Sequence, residues 1–227
     1  MTTAQRQVPP TTTSDRANAQ APRATTRFLT EALRAPHQIG AIAQSGPRLA
    51  AQAAGLLVPD GDPQTVVELG PGAGAITDVL HARMPAGSTL TSIEINTTMV
   101  AHLRETRPWL NVVHGDAIDL PALLRTAGLP PPDLIISALP WSIISTATQP
   151  RILAAITDAM HPNGTFATVA TLPVRMLPSA RRFRRHLHRS FGSVSQTRTV
   201  WRNVPPAHLY VCRSPSTRTA LRAPTKR

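Results

Sequence analysis

The sequence is nearly without cysteine and lysine, with one Cys in 227 residues and 23 arginines among its 24 basic side chains. A lone Cys212 excludes an intramolecular disulfide and any CxxC metal knuckle. Nothing in the chain therefore asks for an oxidising compartment, and a cytoplasmic setting is expected. No apolar run approaches the roughly 18 to 20 residues of a spanning helix, and the opening MTTAQRQVPPTTTSD lacks the apolar centre of a signal peptide. Any membrane contact is expected to be peripheral, at the inner membrane surface. Acidic residues are missing from the last quarter: residues 1–62 carry 6 basic and 4 acidic side chains, 63–173 carry 5 and 8, and 174–227 carry 13 and none. The net charge of +12 thus describes a basic appendage on a mildly acidic centre. His, Cys and carboxylates nowhere cluster at ligand spacing, so no metal is expected.

What is present organises into one domain with tails. Residues 1–24, rich in Thr, Pro, Ala and Gln, and 214–227, with added Arg, hold too little apolar surface to offset the entropy of ordering and read as disordered. Phe28, Leu29, Ala32 and Leu33 fall at helical spacing before Pro36, and a second helix is expected from Ser45 to about Leu57. Together they make a helical cover over residues 25–62, either packed on the core or acting as a lid. From residue 63 to 213 short apolar runs alternate with helical stretches. Strands are expected at Thr65–Leu69, Thr89–Ile95, Asn111–His114, Leu134–Ala138 and Thr165–Ala170, with helices at about 75–83, 97–106, 120–127 and 149–160. Strict alternation implies a parallel sheet with helices on both faces, an α/β architecture. The late runs QTRTVWR and HLYVCR, joined by residues 203–207, suit an antiparallel hairpin.

The strongest local signal is Val67-Glu68-Leu69-Gly70-Pro71-Gly72-Ala73-Gly74, where a strand gives way to a helix. Glycines at alternate positions let the backbone turn tightly and approach a ligand closely. Alone, the loop is ambiguous, because Gly70-x-Gly72-x-x-Ala75 also fits the dinucleotide fingerprint with an acid about 20 residues on. Glu94 is that acid, placed at a strand tip where its carboxylate can accept hydrogen bonds from both ribose hydroxyls, with Ile95 beside it. His114-Gly115-Asp116-Ala117 ends the third strand at the edge where open α/β sheets bind ligands. Asp116 can accept from an adenine amino group there.

Glu68, the glycine loop, Glu94, the Gly-Asp-Ala turn and a fourth strand ending in Leu139-Pro140-Trp141 together resemble class I S-adenosylmethionine-dependent methyltransferases. That resemblance implies a Rossmann-like, seven-stranded, mostly parallel sheet with an antiparallel last strand. It implies S-adenosyl-L-methionine held by Glu68, Gly70, Gly72, Gly74, Glu94, Ile95, Asp116, Ala117 and Leu139, and needs no phosphate-binding group. The resemblance narrows over residues 25–213. Arg27-Phe28-Leu29, Ala35 to Ser45, the Leu-Gly-Pro-Gly loop and Thr199 to Ala207, with its Trp-Arg-Asn-x-Pro-Pro-Ala run, look like bacterial phospholipid N-methyltransferases. The implied acceptor is the amine of a phospholipid such as phosphatidylethanolamine. Relatives of the same look serve natural-product pathways, which leaves N- or C-methylation of a small molecule such as an indole or cyclic dipeptide as the alternative reading.

More distantly the chain resembles the adenine dimethyltransferases of ribosomal RNA, whose fourth strand ends in Asn-Leu-Pro-aromatic. In that family the Asn and a backbone carbonyl hold the base amine while the ring stacks on the base. Here the tetrapeptide is Ala138-Leu139-Pro140-Trp141, and alanine cannot accept that hydrogen bond, so nucleic acid is disfavoured. Pro140 and Trp141 are the expected acceptor contacts, although Trp141 equally suits core filling at a strand end. Residues 181–191 set Phe183, Leu187 and Phe191 at i, i+4 and i+8 with arginines over the rest. Such a helix lies on an anionic bilayer, docks on its own domain, or meets nucleic acid. An ammonium acceptor must lose a proton before it can attack. His37, His208 and Tyr210 are candidate acceptors for it, and no catalytic base is assigned. Nothing in the sequence speaks to oligomeric state.

Overall fold

A computed structural model describes residues 45–58, 61–173 and 177–215. The arm 1–24, the helix expected near Phe28–Leu33, His37 and residues 216–227 lie outside the described residues. Helix α1 (Pro47–Ala54) leads into β1 (Thr65–Leu69), α2 (Ala75–His81), β2 (Thr89–Glu94), α3 (Thr97–Thr106) and β3 (Asn111–His114). A 3-10 turn, Ala117–Asp119, precedes α4 (Leu120–Thr126), β4 (Leu134–Ser137), α5 (Gln149–Ala159), β5 (Thr165–Thr171), α6 (Pro178–Ser190), β6 (Phe191–Gln196) and β7 (Ala207–Pro215).

The seven strands form one sheet in the order β3-β2-β1-β4-β5-β7-β6. Neighbours pair in parallel from β3 through β5, and β7 runs antiparallel to both β5 and β6. This is the Rossmann-like sheet with an antiparallel last strand. Period-two alternation sends Val67, Leu69, Ile135, Phe166, Tyr210 and Cys212 to the face covered by α4, α5 and α6. Val66, Leu134, Ile136, Ala167, Leu209 and Val211 go to the opposite face, under α1, α2 and α3. Burial pushes the Cys212 thiol up to about 12, so it packs as a neutral core side chain.

Two expectations about the C-terminal third need correction, and a third point is decided among the readings left open. First, the hairpin starts earlier than QTRTVWR: β6 is Phe191–Gln196, and of the following run only Val200 makes an isolated bridge, to Ala207. The ladder is interrupted because the Thr197 hydroxyl, not a carbonyl, accepts from the Leu209 N–H at 2.9 Å. Second, β7 runs on through Ser214 and Pro215, so the ordered domain passes the expected boundary at 213. Third, the apolar stripe is not a bilayer face. Phe183 and Leu187 are buried in the domain, and Phe191 is already β6, its ring stacked on Phe166 at 5.5 Å. Arg181, Arg182, Arg184, Arg185 and Arg189 face solvent instead.

The Trp-Arg-Asn-x-Pro-Pro-Ala run also gains a physical role. Buried Asn203 accepts from the Gly46 N–H at 2.7 Å and donates to the Pro205 carbonyl at 2.8 Å. Gln52 on α1 donates to the Arg198 carbonyl and accepts from the Thr197 hydroxyl, each at 2.9 Å. The run therefore fastens α1 onto the β6–β7 connection.

Candidate functional site

A cavity of about 460 Å³ opens along the carboxyl ends of β1, β2, β3 and β4, within the roughly 300 to 1,000 Å³ of small-ligand sites. The strand tips create it: the sheet ends there, and the chain leaves each strand through a loop or turn. Gly70 and Gly72 from the β1 loop, Glu94 and Ile95 from β2, Asp116 and Ala117 from β3, and Leu139 and Pro140 after β4 all stand on its wall. The topology brings these eight expected site residues together. Ser45, just before α1, reaches the same wall.

The glycine loop turns through left-handed backbone at Gly70, Gly72 and Gly74, with φ of 71°, 55° and 86°. At Gly72 a Cβ would meet nothing within 4 Å. The cavity itself lies over that Cα, and a side chain would fill it. Glu94 is 4% exposed, and its carboxylate accepts from the Asn96 N–H at 2.9 Å. Burial pushes this carboxyl above the usual range, while the N–H groups of Asn96, Gly72 and Ile95 pull it back. The result is a carboxylate fixed by backbone donors at the ligand edge of β2. Asp116 caps the 3-10 turn by accepting from the Ile118 N–H at 3.0 Å, which orients its carboxyl at the tip of β3.

Two of the expected cofactor residues stand behind the wall rather than on it. Glu68 is fully buried beneath the loop; one carboxyl oxygen accepts from the Thr77 hydroxyl at 2.6 Å and from Ser92 at 3.2 Å. Its other oxygen, Oε1, has no hydrogen-bond partner. Burial raises the Glu68 carboxyl to about 7, against the pull of those two hydroxyls. Gly74 is also buried, under the Arg107 side chain.

Trp141 does not reach the cavity. Its ring is 5% exposed, its Nε1–H donates to the Thr168 hydroxyl at 2.7 Å, and Phe183 stacks on it at 4.2 Å. Thr168 in turn donates to the Ser137 carbonyl at 3.1 Å. Buried Gln149 clamps the same turn by donating to the carbonyls of Trp141 and Ile144, at 2.8 and 3.2 Å. With the indole turned inward, the wall beyond Leu139 is made of Ala138, Pro140, Ile144, Ile152 and Val169. His208 and Tyr210 meet edge to face on β7, 4.9 Å apart, and stand outside the wall.

Sequence reasoning missed Asn96 and Met99 as wall residues, and missed Ile144, Ile152 and Val169 on the wall beyond Leu139. A signal existed for Asn96: it precedes Thr-Thr at the start of α3 and caps that helix by accepting from the N–H groups of Thr98 and Met99. The three aliphatics read only as core, because a cavity wall of this kind has no pattern of its own. Among the described residues no group of three or more His, Cys, Asp or Glu side chains could hold a metal ion. Likewise no helix among them is long and apolar enough to cross a membrane.

The family model for ribosomal RNA adenine dimethylase matches residues 49–176. An ornithine lipid N-methyltransferase from Singulisphaera acidiphila is 30% identical over 159 residues, spanning 69% of this chain and 79% of that protein. The ribosomal RNA small subunit methyltransferase A of Leptothrix cholodnii is 39% identical over 89 residues, spanning 37% of this chain but only 31% of that one. Among solved structures, the O-methyltransferase TomG of Streptomyces achromogenes, in complex with SAM, superposes with a TM-score of 0.55 at 16% identity. That match covers 85% of this chain and 91% of TomG, and is a likeness of fold.

Proposed function

This chain belongs to the ribosomal RNA adenine dimethylase family of S-adenosylmethionine-dependent methyltransferases, and from that premise we propose that it methylates the amine of a lipid rather than a base of RNA. The observation that carries the proposal is the wall after β4. Ala138 offers no side-chain acceptor for a base amine, and Trp141 is locked into the core by Thr168 and Phe183 and offers no ring for stacking. What remains beyond Leu139 is aliphatic and suits a small amine that leads into an apolar body. The ornithine lipid N-methyltransferase supports the same reading, since this chain spans 79% of it.

In this reading the cofactor lies across the tips of β1 to β4. The residues fit it: Gly72 leaves the space that a Cβ would close, and Glu94 presents a buried carboxylate of the kind that accepts from a ribose diol. Asp116, on the same wall, is the acid that would accept from the adenine amino group. When bound, S-adenosylmethionine supplies an activated methyl group on a sulfonium. The chain's own work would be positioning: an aliphatic wall favours the neutral form of the acceptor amine, its proton left to solvent on entry, and would hold the lone pair in line with the methyl group, which passes to nitrogen as its bond to sulfur breaks. The exposed arginines of α6 suit the anionic surface in which such an acceptor sits.

Methyl-labelled cofactor, incubated in parallel with vesicles of phosphatidylethanolamine and an ornithine lipid, a panel of indole-bearing small molecules, and ribosomal RNA, tests the proposal. Label is expected in the lipid fraction. Label confined to small molecules or to RNA overturns it.

A further inference from the structure

We infer that Arg107 is a positioning residue for the cofactor loop, its guanidinium seated on the bare Cα of Gly74, whose left-handed backbone already favours glycine. Arg107 follows α3, 33 residues beyond Gly74 and outside any motif. Its Nη2–H donates to the Ala73 carbonyl at 3.0 Å and to Asp78 Oδ2 at 2.8 Å, while Nε–H donates to Asp78 Oδ1 at 2.6 Å. Nη1–H is held by the Thr106 hydroxyl at 2.9 Å. One guanidinium thus joins the end of α3, the first turns of α2 and the loop between Gly72 and Gly74.

The loop is built around this strap. A Cβ on Gly74 would lie 2.5 Å from Cζ, 2.7 Å from Nη2 and 2.8 Å from Nε of Arg107. The flat group therefore rests on the bare Cα, and the φ of 86° excludes other residues a second time. Ala73, whose carbonyl is strapped, sits on the cavity wall next to Gly72. A fork of this shape can hold a carboxylate and a carbonyl at once, which an ammonium cannot. The side chain of Arg107 is 13% exposed against 53% for Asp78, so the arginine is the better shielded partner of that ion pair.

The consequence is preorganisation: a loop fixed before the ligand arrives does not have to be ordered by it. Arg107 then acts on cofactor affinity and not on the methyl-transfer step. The inference rests on the cavity being the cofactor site and is independent of which acceptor is methylated.

Calorimetric titration with S-adenosylhomocysteine tests it, on the full chain and on Arg107→Ala, Arg107→Lys, Gly74→Ala and the Gly74→Ala/Arg107→Ala pair. Arg107→Ala is expected to weaken binding about tenfold while turnover at saturating cofactor changes by less than about twofold, and Arg107→Lys to recover part of the loss. Amide exchange at residues 72–75 without ligand should speed up in Arg107→Ala, and Gly74→Ala should cost less in that background than in the wild type. If Arg107→Ala folds poorly, the lysine variant carries the same comparison of affinity against turnover. Unchanged affinity in the arginine variants, or a Gly74→Ala cost equal in both backgrounds, overturns this inference alone. No binding by the wild type overturns it together with the reading of the cavity.

Discussion

The tips of β1 to β3 and the stretch from the end of β4 through β5 meet around one cavity, yet they are built by different means. On the first side the cavity surface is mostly backbone: left-handed glycines at 70 and 72 and a Glu94 carboxylate held by N–H groups. On the second side it is set by side chains from distant elements: Trp141 on Thr168, Phe183 over Trp141, and Gln149 under the turn. Backbone geometry is encoded locally and tolerates little change, whereas side-chain packing can be rearranged one residue at a time. That division is one physical route by which a single family could keep a cofactor and change an acceptor.

The division can be broken most forcefully at Trp141. Trp141→Ala should destabilise the domain by about 3 to 5 kcal/mol in urea unfolding and leave the affinity of the folded protein for S-adenosylhomocysteine unchanged. A stable variant with an altered acceptor KM would instead put the indole at the acceptor. Next in size is Glu94→Ala. With Glu94 as the acceptor for the two ribose hydroxyls, its loss should weaken S-adenosylhomocysteine about 100-fold, about 3 kcal/mol, by calorimetry on the folded variant. Equal affinity in this variant would remove the ribose role.

Glu68 sharpens the contrast from beneath the loop. Its folded-state value of about 7 lies above the ordinary 4.5, so between those pH values the folded chain holds a proton that the unfolded chain has lost. Stability should therefore fall as pH rises from about 4.5 to about 7 and be flat above, by about 3 kcal/mol at most. Glu68→Gln, which keeps an acceptor for Thr77 and Ser92, should abolish that slope in unfolding midpoints measured across pH. The smallest effect is expected on α6. Reversing Arg184 and Arg185 to Glu should change stability by less than about 0.5 kcal/mol, yet reduce turnover on anionic vesicles at low salt, with the difference fading as salt is raised.

The two sides also differed in how far they could be read from the sequence. The order of strands and helices through β5, and the places of Gly70, Gly72, Glu94 and Asp116 on the cavity, followed from period-two runs, glycine spacing and acids at strand ends. These are short-range signals, and a parallel sheet brings them to one edge whatever the helices do. The C-terminal third was misread where one pattern served two structures. Phe191 continued the spacing of Phe183 and Leu187, so it counted as helix, although its φ of -136° places it in extended backbone at the start of β6. Thr197 looked like strand, and its hydroxyl in fact replaces a rung of the ladder. Trp141 could face in or out of the same strand end, and the Thr168 hydroxyl that settles its direction is 27 residues away. Arg107 had no signal at all, because its partners are a carbonyl and a carboxylate brought near only by the fold.

Amide hydrogen exchange with and without S-adenosylhomocysteine tests the division most directly. Protection is expected at residues 70–75, 94–97 and 115–118, with exchange across 191–215 unchanged. Protection centred on 191–215, or none at 70–75, would contradict a cofactor held by the backbone-built side of the cavity.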